Sequence, residues 1–156
     1  MDIERQLAVL DLNARYAEVI DEGRFEEWPD FFTEDGRYRV TTAENVAQNL
    51  PLSLIYATSR AMLRDRVKSL REANIYEAQR YRHMLGPARI EADGDGALRV
   101  RTSFMVARVM HTGETTLFAT GSYHDRVVLD GTAARLAERT VILDSRQIDT
   151  LLAIPL

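Results

Sequence analysis

Two histidines are the side chains of this sequence best suited to acid–base chemistry. His83 and His111 fall on neighbouring predicted β segments, where either could point into an enclosed interior. A general acid/base set of a dehydratase or isomerase would need a carboxylate beside them, from Asp30 or Asp35, with Tyr16 or Tyr38 as a further hydrogen-bonding group. The other interpretation is that both histidines are ordinary strand residues bonded to the backbone.

A third histidine, His124, is followed directly by Asp125. Neighbouring residues of a strand point to opposite faces, so these two cannot act as a histidine–carboxylate pair. Asp125 falls on the more apolar register of its predicted strand, where an ionised carboxylate needs a partner. We therefore expect an arginine to pair with Asp125 in a structural ion pair.

The number and spacing of the cysteine, histidine and acidic residues exclude several kinds of metal or covalent site. The sequence has no cysteine, so it cannot build a disulfide, a thiol nucleophile, a Cys-ligated zinc site or an iron–sulfur cluster. No two histidines lie within ten residues, which excludes a HExxH motif. Residues 93–96 (DGDG) lack the further ligands of a calcium loop and are followed by a predicted strand, so they indicate a hairpin turn. We expect no metal in this chain.

The length of 156 residues indicates a single domain spanning residues 1–156. The net charge is -4 and the sequence pI is about 5.4, which argues against a nucleic-acid partner. The first residues lack a signal-peptide pattern and no apolar run is long enough for a membrane span, so we expect a cytoplasmic protein.

The N-terminal part is predicted to be helical. Over residues 2–22, one apolar face is formed by Ile3, Leu7, Leu10, Ala14, Ala17 and Ile20, with Asp2 as a possible N-cap. A helical turn is expected at 25–28, ending before Pro29. A strand is expected at 37–41 and a loop at 42–52, and a helix capped by Thr58 or Ser59 is expected to run to Ala73.

Beyond residue 74 the pattern changes to four β segments. They are predicted at about 80–92, 97–111, 115–129 and 134–145, separated by short turns typical of an antiparallel meander. Helices followed by a long antiparallel sheet indicate the α+β class, in which N-terminal helices pack on a curved sheet to form a cone. The tail, residues 151–156, is almost wholly apolar, so we expect it to be buried in its own domain or against a partner.

An ordered set of short strings resembles one known family. The strings are EWPDFF (27–32), YRV (38–40), DR (65–66), LREANIY (70–76), RYRH (80–83), MHTGE (110–114), YHD (123–125) and DS (144–145). From about residue 5 to the last residue the chain resembles the small (β) subunit of aromatic-ring-hydroxylating dioxygenases, which are Rieske non-haem iron oxygenases. Within that family it is most similar to members acting on terephthalate, salicylate or anthranilate.

The resemblance implies a cone-shaped, NTF2-like (cystatin-like) fold and a non-catalytic structural role. The Rieske [2Fe-2S] cluster and the mononuclear Fe(II) would lie on a partner, the large (α) subunit, in a trimer of heterodimers. The holoenzyme would add dioxygen to an aromatic carboxylate, with electrons from NADH through a separate reductase. Self-association of this chain as a trimer is a further expectation.

On this interpretation no residue of the chain is catalytic, and the matched strings supply contact residues instead. Trp28 and Phe31 are expected to pack internally. The candidates for the interface with the large subunit or a neighbouring small subunit are Arg66, Arg71, Tyr81, Arg82, Ile154 and Leu156. The alternative is a self-contained cone-fold dehydratase or isomerase that uses His83, His111 and Asp30 or Asp35.

Overall fold

The computed structural model describes residues 1–73, 78–147 and 152–156. Its helices are α1 (Ile3–Asp21), a 3₁₀ helix (Phe25–Phe31), α2 (Ala43–Ala47) and α3 (Arg60–Ala73). Its strands are β1 (Phe32–Thr42), β2 (Ile55–Ala57), β3 (Gln79–Leu85), β4 (Arg89–Ala92), β5 (Leu98–Met110), β6 (Thr115–Asp130) and β7 (Ala133–Leu143). The order of helices before a long sheet confirms the predicted α+β class.

Helix α1 begins where predicted but buries a different face. Asp2 caps it by accepting a hydrogen bond from the Arg5 backbone N–H at 2.9 Å. The predicted face is wrong for the first half of the helix, because Ile3, Leu7 and Leu10 are 65%, 57% and 48% exposed. The buried face is instead formed by Val9, Leu12, Asn13, Tyr16, Ala17, Val19, Ile20 and Asp21. Apolar residues form two stripes on this helix, so spacing alone did not determine which one meets the sheet.

The 3₁₀ helix extends further than the sequence indicated. We expected a turn ending before Pro29, but the helix runs through Phe31 with Pro29 inside it. Pro29 is the fifth of its seven residues, and the φ of about −65° that the proline ring fixes lies within the range of a 3₁₀ helix, at the loss of one backbone donor. Trp28 and Phe31 are buried, at 1% and 7% exposed.

One seven-stranded sheet carries the rest of the chain. Its order is β2-β1-β7-β6-β5-β3, with β4 paired to β5 beyond the end of β3. The predicted meander is confirmed for β5, β6 and β7, which pair antiparallel in sequence. Strand β1 is longer than expected and pairs in parallel with β7, while α2 and β2 were not predicted.

Helix α3 confirms the sequence interpretation closely. The Ser59 hydroxyl accepts from the Met62 backbone N–H at 3.2 Å and so caps the helix. Leu63, Val67 and Leu70 are its buried residues, as their spacing predicted. The helix packs against β1 and the 3₁₀ helix, so α1 and α3 cover the same face of the sheet.

The face of the sheet that meets the helices is the inner face, and the other is the outer face. Along β5 the buried and exposed residues alternate, as expected for a strand covered on one side. The tail lies among the inner side chains, with Ile154 and Leu156 only 2% and 0% exposed. Among the described residues, no helix is long and apolar enough to cross a membrane.

Candidate functional site

The interior is polar at its centre, where Asp125 of β6 meets Arg139 of β7. The two residues are Cα partners in the β6–β7 ladder. Arg139 donates from Nε to Asp125 Oδ1 at 2.9 Å and from Nη2 to Oδ2 at 2.8 Å, a two-armed ion pair. Both side chains are buried. The predicted structural pairing of Asp125 with an arginine is therefore confirmed.

Burial and the neighbouring negative charge act in opposite directions on the pKa of Arg139. Burial favours the neutral form, but the Asp125 carboxylate offsets it, so the pKa of Arg139 is raised and the guanidinium stays charged. The Arg139 guanidinium carbon lies 4.2 Å from the Tyr16 ring centre and 4.0 Å from the Tyr123 ring centre. Two aromatic rings thus flank the buried cation and stabilise it.

Asn13 joins this cluster to helix α1. Its Oδ1 accepts a hydrogen bond from Arg139 Nη2 at 2.7 Å, and its Nδ2 donates to Thr102 Oγ1 at 3.2 Å. Asn13 thereby connects α1 to β7 and β5, and it is 5% exposed. A hydrogen-bonded buried amide of this kind fixes the position of the helix on the sheet.

The tail of the chain enters the same interior. Tyr16 donates from Oη to the Leu156 backbone oxygen at 2.8 Å, and Tyr38 donates to it at 3.0 Å. Tyr38 Oη also accepts from the Leu156 N–H at 3.0 Å, and Trp28 Nε1 donates to Tyr16 Oη at 3.1 Å. Burial raises the pKa of Tyr16 and of Tyr38, so both hydroxyls stay protonated and able to donate.

A second buried pair lies at the end of α1. Asp21 accepts the backbone N–H of His83 at 2.9 Å through Oδ2, and its Oδ1 lies 2.6 Å from the ring Nδ1 of the same histidine. The His83 side chain is 0% exposed, and its Nε2 has no hydrogen-bond partner within the described part of the chain. A general base needs a ring nitrogen within reach of substrate, so this enclosed geometry supports a structural role.

The proposed catalytic set is not brought together. His83 pairs with Val106 across the β3–β5 ladder. His111 lies five residues after Val106, so the two histidines are separated by about 16 Å along the strand direction, at 3.3 Å per residue. Asp30 is exposed on the 3₁₀ helix, where its carboxylate lies 3.5 Å from Arg64. Asp35 is also exposed and accepts from the Thr33 hydroxyl at 3.2 Å. The carboxylate that His83 does meet is Asp21, which the sequence analysis did not nominate.

The arginine and tyrosine candidates for an interface differ in their surroundings. Arg71 donates to Glu26 at 2.7 Å and to the Gly23 carbonyl at 2.6 Å, so it joins α3 to the segment after α1. Tyr81 is 3% exposed and packs on Phe118 with ring centres 5.3 Å apart. Arg66 is half-buried and Arg82 is exposed.

Tyr81 and the two tail residues require a correction. Ile154, Leu156 and Tyr81 were nominated as interface anchors, but their side chains are buried inside this chain. They therefore have almost no surface to offer a partner, because the interior of the same domain already covers them. The expected burial of the tail in its own domain is what the structure shows.

One signal in the sequence pointed to the missed residues Asn13 and Asp21. Asn13, Tyr16, Ala17 and Ile20 recur at helical spacing, and Asp21 extends that face by one position. Polar residues on an apolar stripe indicate buried hydrogen bonds rather than exposure. Arg139 could have been identified as the partner of Asp125 only from the strand register, which bulges in β6 and β7 make hard to count.

This chain's residues do not fit the cofactors of a Rieske oxygenase. A Rieske cluster takes two cysteines and two histidines, and the sequence has no cysteine. A mononuclear iron site takes two histidines and a carboxylate on one face. Within residues 1–73, 78–147 and 152–156, no group of three histidine, aspartate or glutamate side chains is placed to hold a metal.

Comparison with known proteins identifies the family to which this chain belongs. The family model described as "Ring hydroxylating beta subunit" matches residues 15–150. The beta 1 subunit of the terminal oxygenase component of terephthalate 1,2-dioxygenase from Comamonas sp is 45% identical over 97% of this chain and 98% of that protein. The anthranilate 1,2-dioxygenase small subunit from Burkholderia cepacia is 37% identical over 99% and 96%.

A solved structure agrees with both relatives. The crystal structure of the beta subunit of a putative aromatic-ring-hydroxylating dioxygenase from Novosphingobium aromaticivorans superposes with a TM-score of 0.89. It is 38% identical, and the match covers 97% of each chain. This likeness confirms the cone-shaped, NTF2-like α+β fold expected from the sequence. The chain belongs to the ring-hydroxylating dioxygenase β-subunit family.

Proposed function

We propose that this chain is the non-catalytic small subunit of a multicomponent Rieske oxygenase that dihydroxylates an aromatic carboxylate. The observation that carries the proposal is the interior of the cone, where the chain's own tail occupies the space between Tyr16 and Tyr38. A self-contained cone enzyme would need that interior for its substrate. Here the polar groups face one another and the tail.

The relatives indicate the partner and the substrate class. The named relatives are the β subunit of a terephthalate 1,2-dioxygenase and the small subunit of an anthranilate 1,2-dioxygenase. Terephthalate and anthranilate are both aromatic carboxylates, so we place the substrate of this oxygenase in that class. The large subunit would hold the Rieske [2Fe-2S] cluster and the mononuclear Fe(II), in agreement with the cysteine-free sequence of this chain.

We further propose a trimer of heterodimers in the cytoplasm, with electrons delivered from NADH by a separate reductase. In that assembly the small subunit would stabilise the large subunit rather than contact the substrate. The comparisons favour this function over the dehydratase or isomerase alternative. The separation of His83 from His111 and Asp30 supports the same choice.

A tagged copy of this chain, purified from its native cells and run on a sizing column, tests the proposal. We expect a large coloured species that contains a second, heavier polypeptide and shows the visible absorbance of a Rieske cluster. Mass spectrometry would identify the second chain, and terephthalate, anthranilate and salicylate would be tested as substrates. A small colourless peak with no second chain would overturn the proposal.

A further inference from the structure

The outer face of the sheet carries a net positive charge. Two rows of residues cross it, as the strand pairing shows. One row is Tyr56, Arg39, Thr140, His124, Arg101 and Arg89. The other row is Arg37, Glu138, Arg126, Arg99 and Glu91. We call these two rows, together with Asp93 beside them, the cationic face.

The cationic face points away from the helices. Thr140 lies between Arg139 and Val141, both of which are fully buried on the inner face. Side chains alternate along a strand, so Thr140 and its partners in the same row project outward. The face carries six arginines and three carboxylates, a net charge of +3 with histidine neutral, whereas the whole chain carries -4. The residues outside this face therefore carry a net charge of -7, although helix α3 is itself basic, with five cations and two carboxylates.

At the centre of the cationic face is a depression of about 260 Å³. It is lined by Arg99, Arg101, Arg126 and His124, together with the carboxylates of Asp93, Asp125 and Glu138. Arg99 and Arg126 both bond to Asp93, with Arg126 Nε lying 3.1 Å from Asp93 Oδ2. One carboxylate is thus shared by two guanidinium groups. Arg101 has no hydrogen bond or ion pair with any residue that the structure describes. Because Asp125 is paired with Arg139, three arginines face the two other carboxylates at the depression, and a net charge of +1 is left for a carboxylate from another molecule to balance.

Exposed apolar side chains lie farther from the depression, in two groups. Leu52, Leu54 and Tyr56 are 59%, 53% and 55% exposed beside strand β2. At the other end, Met84, Met105 and Leu117 are 62%, 50% and 64% exposed on the outer face of β3, β5 and β6. Tyrosine, methionine and arginine are enriched in protein–protein interfaces, and all three are exposed on this side of the molecule.

We propose that the cationic face is the surface on which the large oxygenase subunit docks, with a carboxylate of that subunit in the depression beside Arg101. The inference rests on the proposed function, which supplies the partner, and adds the face that it binds. A second copy of this chain is a poor occupant in a two-fold dimer, because two faces of net charge +3 would meet. A copy that docked another of its surfaces there would form a closed ring or an open chain, and the cross-linking experiment below distinguishes that contact from the large subunit.

Charge reversal in the complex tests the proposal. The large subunit recovered with the wild-type chain would be bound to the variant Arg39→Glu with Arg101→Glu, and the dissociation constant measured over a range of salt concentrations. We expect at least tenfold weaker binding for the variant and weaker wild-type binding as salt rises. The matched control is Arg15→Glu, a charge reversal at an exposed position on α1, across the molecule from the outer face. A melting temperature for each variant shows that it is folded.

A cross-linking experiment uses the single lysine of the sequence, Lys68. The substitution Arg101→Lys keeps the positive charge and places a second side-chain amine in the depression, where a carbodiimide couples it to a carboxylate in contact. We expect a cross-link from position 101 to an acidic residue of the large subunit, and none from position 15 in the control Arg15→Lys.

Three results would overturn the proposal while leaving the pairing itself intact. They are unchanged affinity of the Arg39→Glu, Arg101→Glu variant, a cross-link from position 15 alone, and a cross-link from position 101 to a second copy of this chain. Failure of the wild-type chain to bind any large subunit is a different result, because it would contradict the proposed function as well.

Discussion

Asp125 and Arg139 form a two-armed ion pair in the centre of the cone, with both side chains shielded from solvent. The pair links adjacent strands, and through Asn13 it also holds α1 against the sheet. A buried charge is tolerated only while its partner remains. The stability of the fold therefore depends on both residues together.

Arg139→Met should destabilise the chain by about 3–5 kcal/mol, because it leaves the Asp125 carboxylate buried without a counter-charge. Urea unfolding followed by circular dichroism would measure the loss. The double variant Asp125→Leu with Arg139→Met should recover a large part of it, since no unpaired charge remains. Arg126→Met, which breaks a partly exposed pair between β6 and Asp93 in the turn after β4, should cost about 1 kcal/mol or less. Equal losses for Arg139→Met and Arg126→Met would contradict this account.

Removing residues 152–156 should weaken the fold, since Ile154 and Leu156 are buried and Leu156 bonds to Tyr16 and Tyr38. Each fully buried side chain contributes roughly 1.5–3 kcal/mol. Trp28, the only tryptophan in the sequence, donates to Tyr16 and reports on this region. We expect a red shift of its fluorescence and a lower melting temperature.

Tyr38→Phe should destabilise the chain less than the deletion of residues 152–156. It removes the hydroxyl that both donates to and accepts from Leu156, at a cost of about 1 kcal/mol, while the ring remains in place. A truncated chain that melts like the full-length chain, with unshifted tryptophan emission, would show that the tail is not packed against Tyr16 and Tyr38.

Gly121 should not tolerate a side chain, because a Cβ there would lie 2.1 Å from the Ile142 carbonyl oxygen of the neighbouring strand. Gly121→Ala must therefore push β6 and β7 apart, and we expect a loss of several kcal/mol or an insoluble chain. Ser122→Ala, one residue later on the outer face, should change stability by no more than about 0.5 kcal/mol. Differential scanning fluorimetry of both variants would decide, and a Gly121→Ala chain as stable as the wild type would contradict the close strand approach.

Residue spacing was sufficient to predict a helix or strand and its buried face where one side of the element is plainly apolar. Helix α3, the β5–β7 meander and the hairpin turn at 93–96 all follow from residue spacing and turn chemistry. The face of α1 could not be predicted in the same way. Its exposed stripe of Ile3, Leu7 and Leu10 is as apolar as its buried one, and tertiary packing made the choice.

Long-range contacts explain most of what sequence reasoning missed. Strand β2 is only three residues long and is held by pairing with β1, which is itself aligned by parallel pairing with β7 about a hundred residues away. The Asp21–His83 contact likewise joins residues 62 positions apart. Such contacts become visible only when the register of the sheet is known.

Asp21→Asn tests whether the buried histidine pair has any catalytic part. The amide can still accept the His83 backbone N–H, but the negative charge facing the ring is lost, so stability should fall by about 1–3 kcal/mol. Turnover per iron centre in the assembled oxygenase should stay at the wild-type value, because both side chains of the pair are enclosed within this chain. A large drop in turnover at unchanged assembly would favour a catalytic role for His83.

His124 should titrate below the ordinary histidine value. Partial burial is the main cause of its lowered pKa, the positive charge of Arg101 adds to it, and the Asp125 carboxylate acts in the opposite direction. Arg101→Gln should therefore raise the pKa of His124 while leaving it below that of a free histidine. Proton NMR of the imidazole ring would measure the shift, and Arg15→Gln on α1 is the matched control.

The sign of the effect on stability follows from the same shift. With a folded pKa below the unfolded value of 6.5, His124 binds more protons in the unfolded chain over the interval between the two. The contribution is zero above that interval and becomes destabilising as the pH falls through it. His124→Gln should therefore lose less stability than the wild type on acidification from pH 7. An unchanged His124 titration in Arg101→Gln would show that Arg101 is not directed toward His124, and would also weaken the case for a partner carboxylate in the depression.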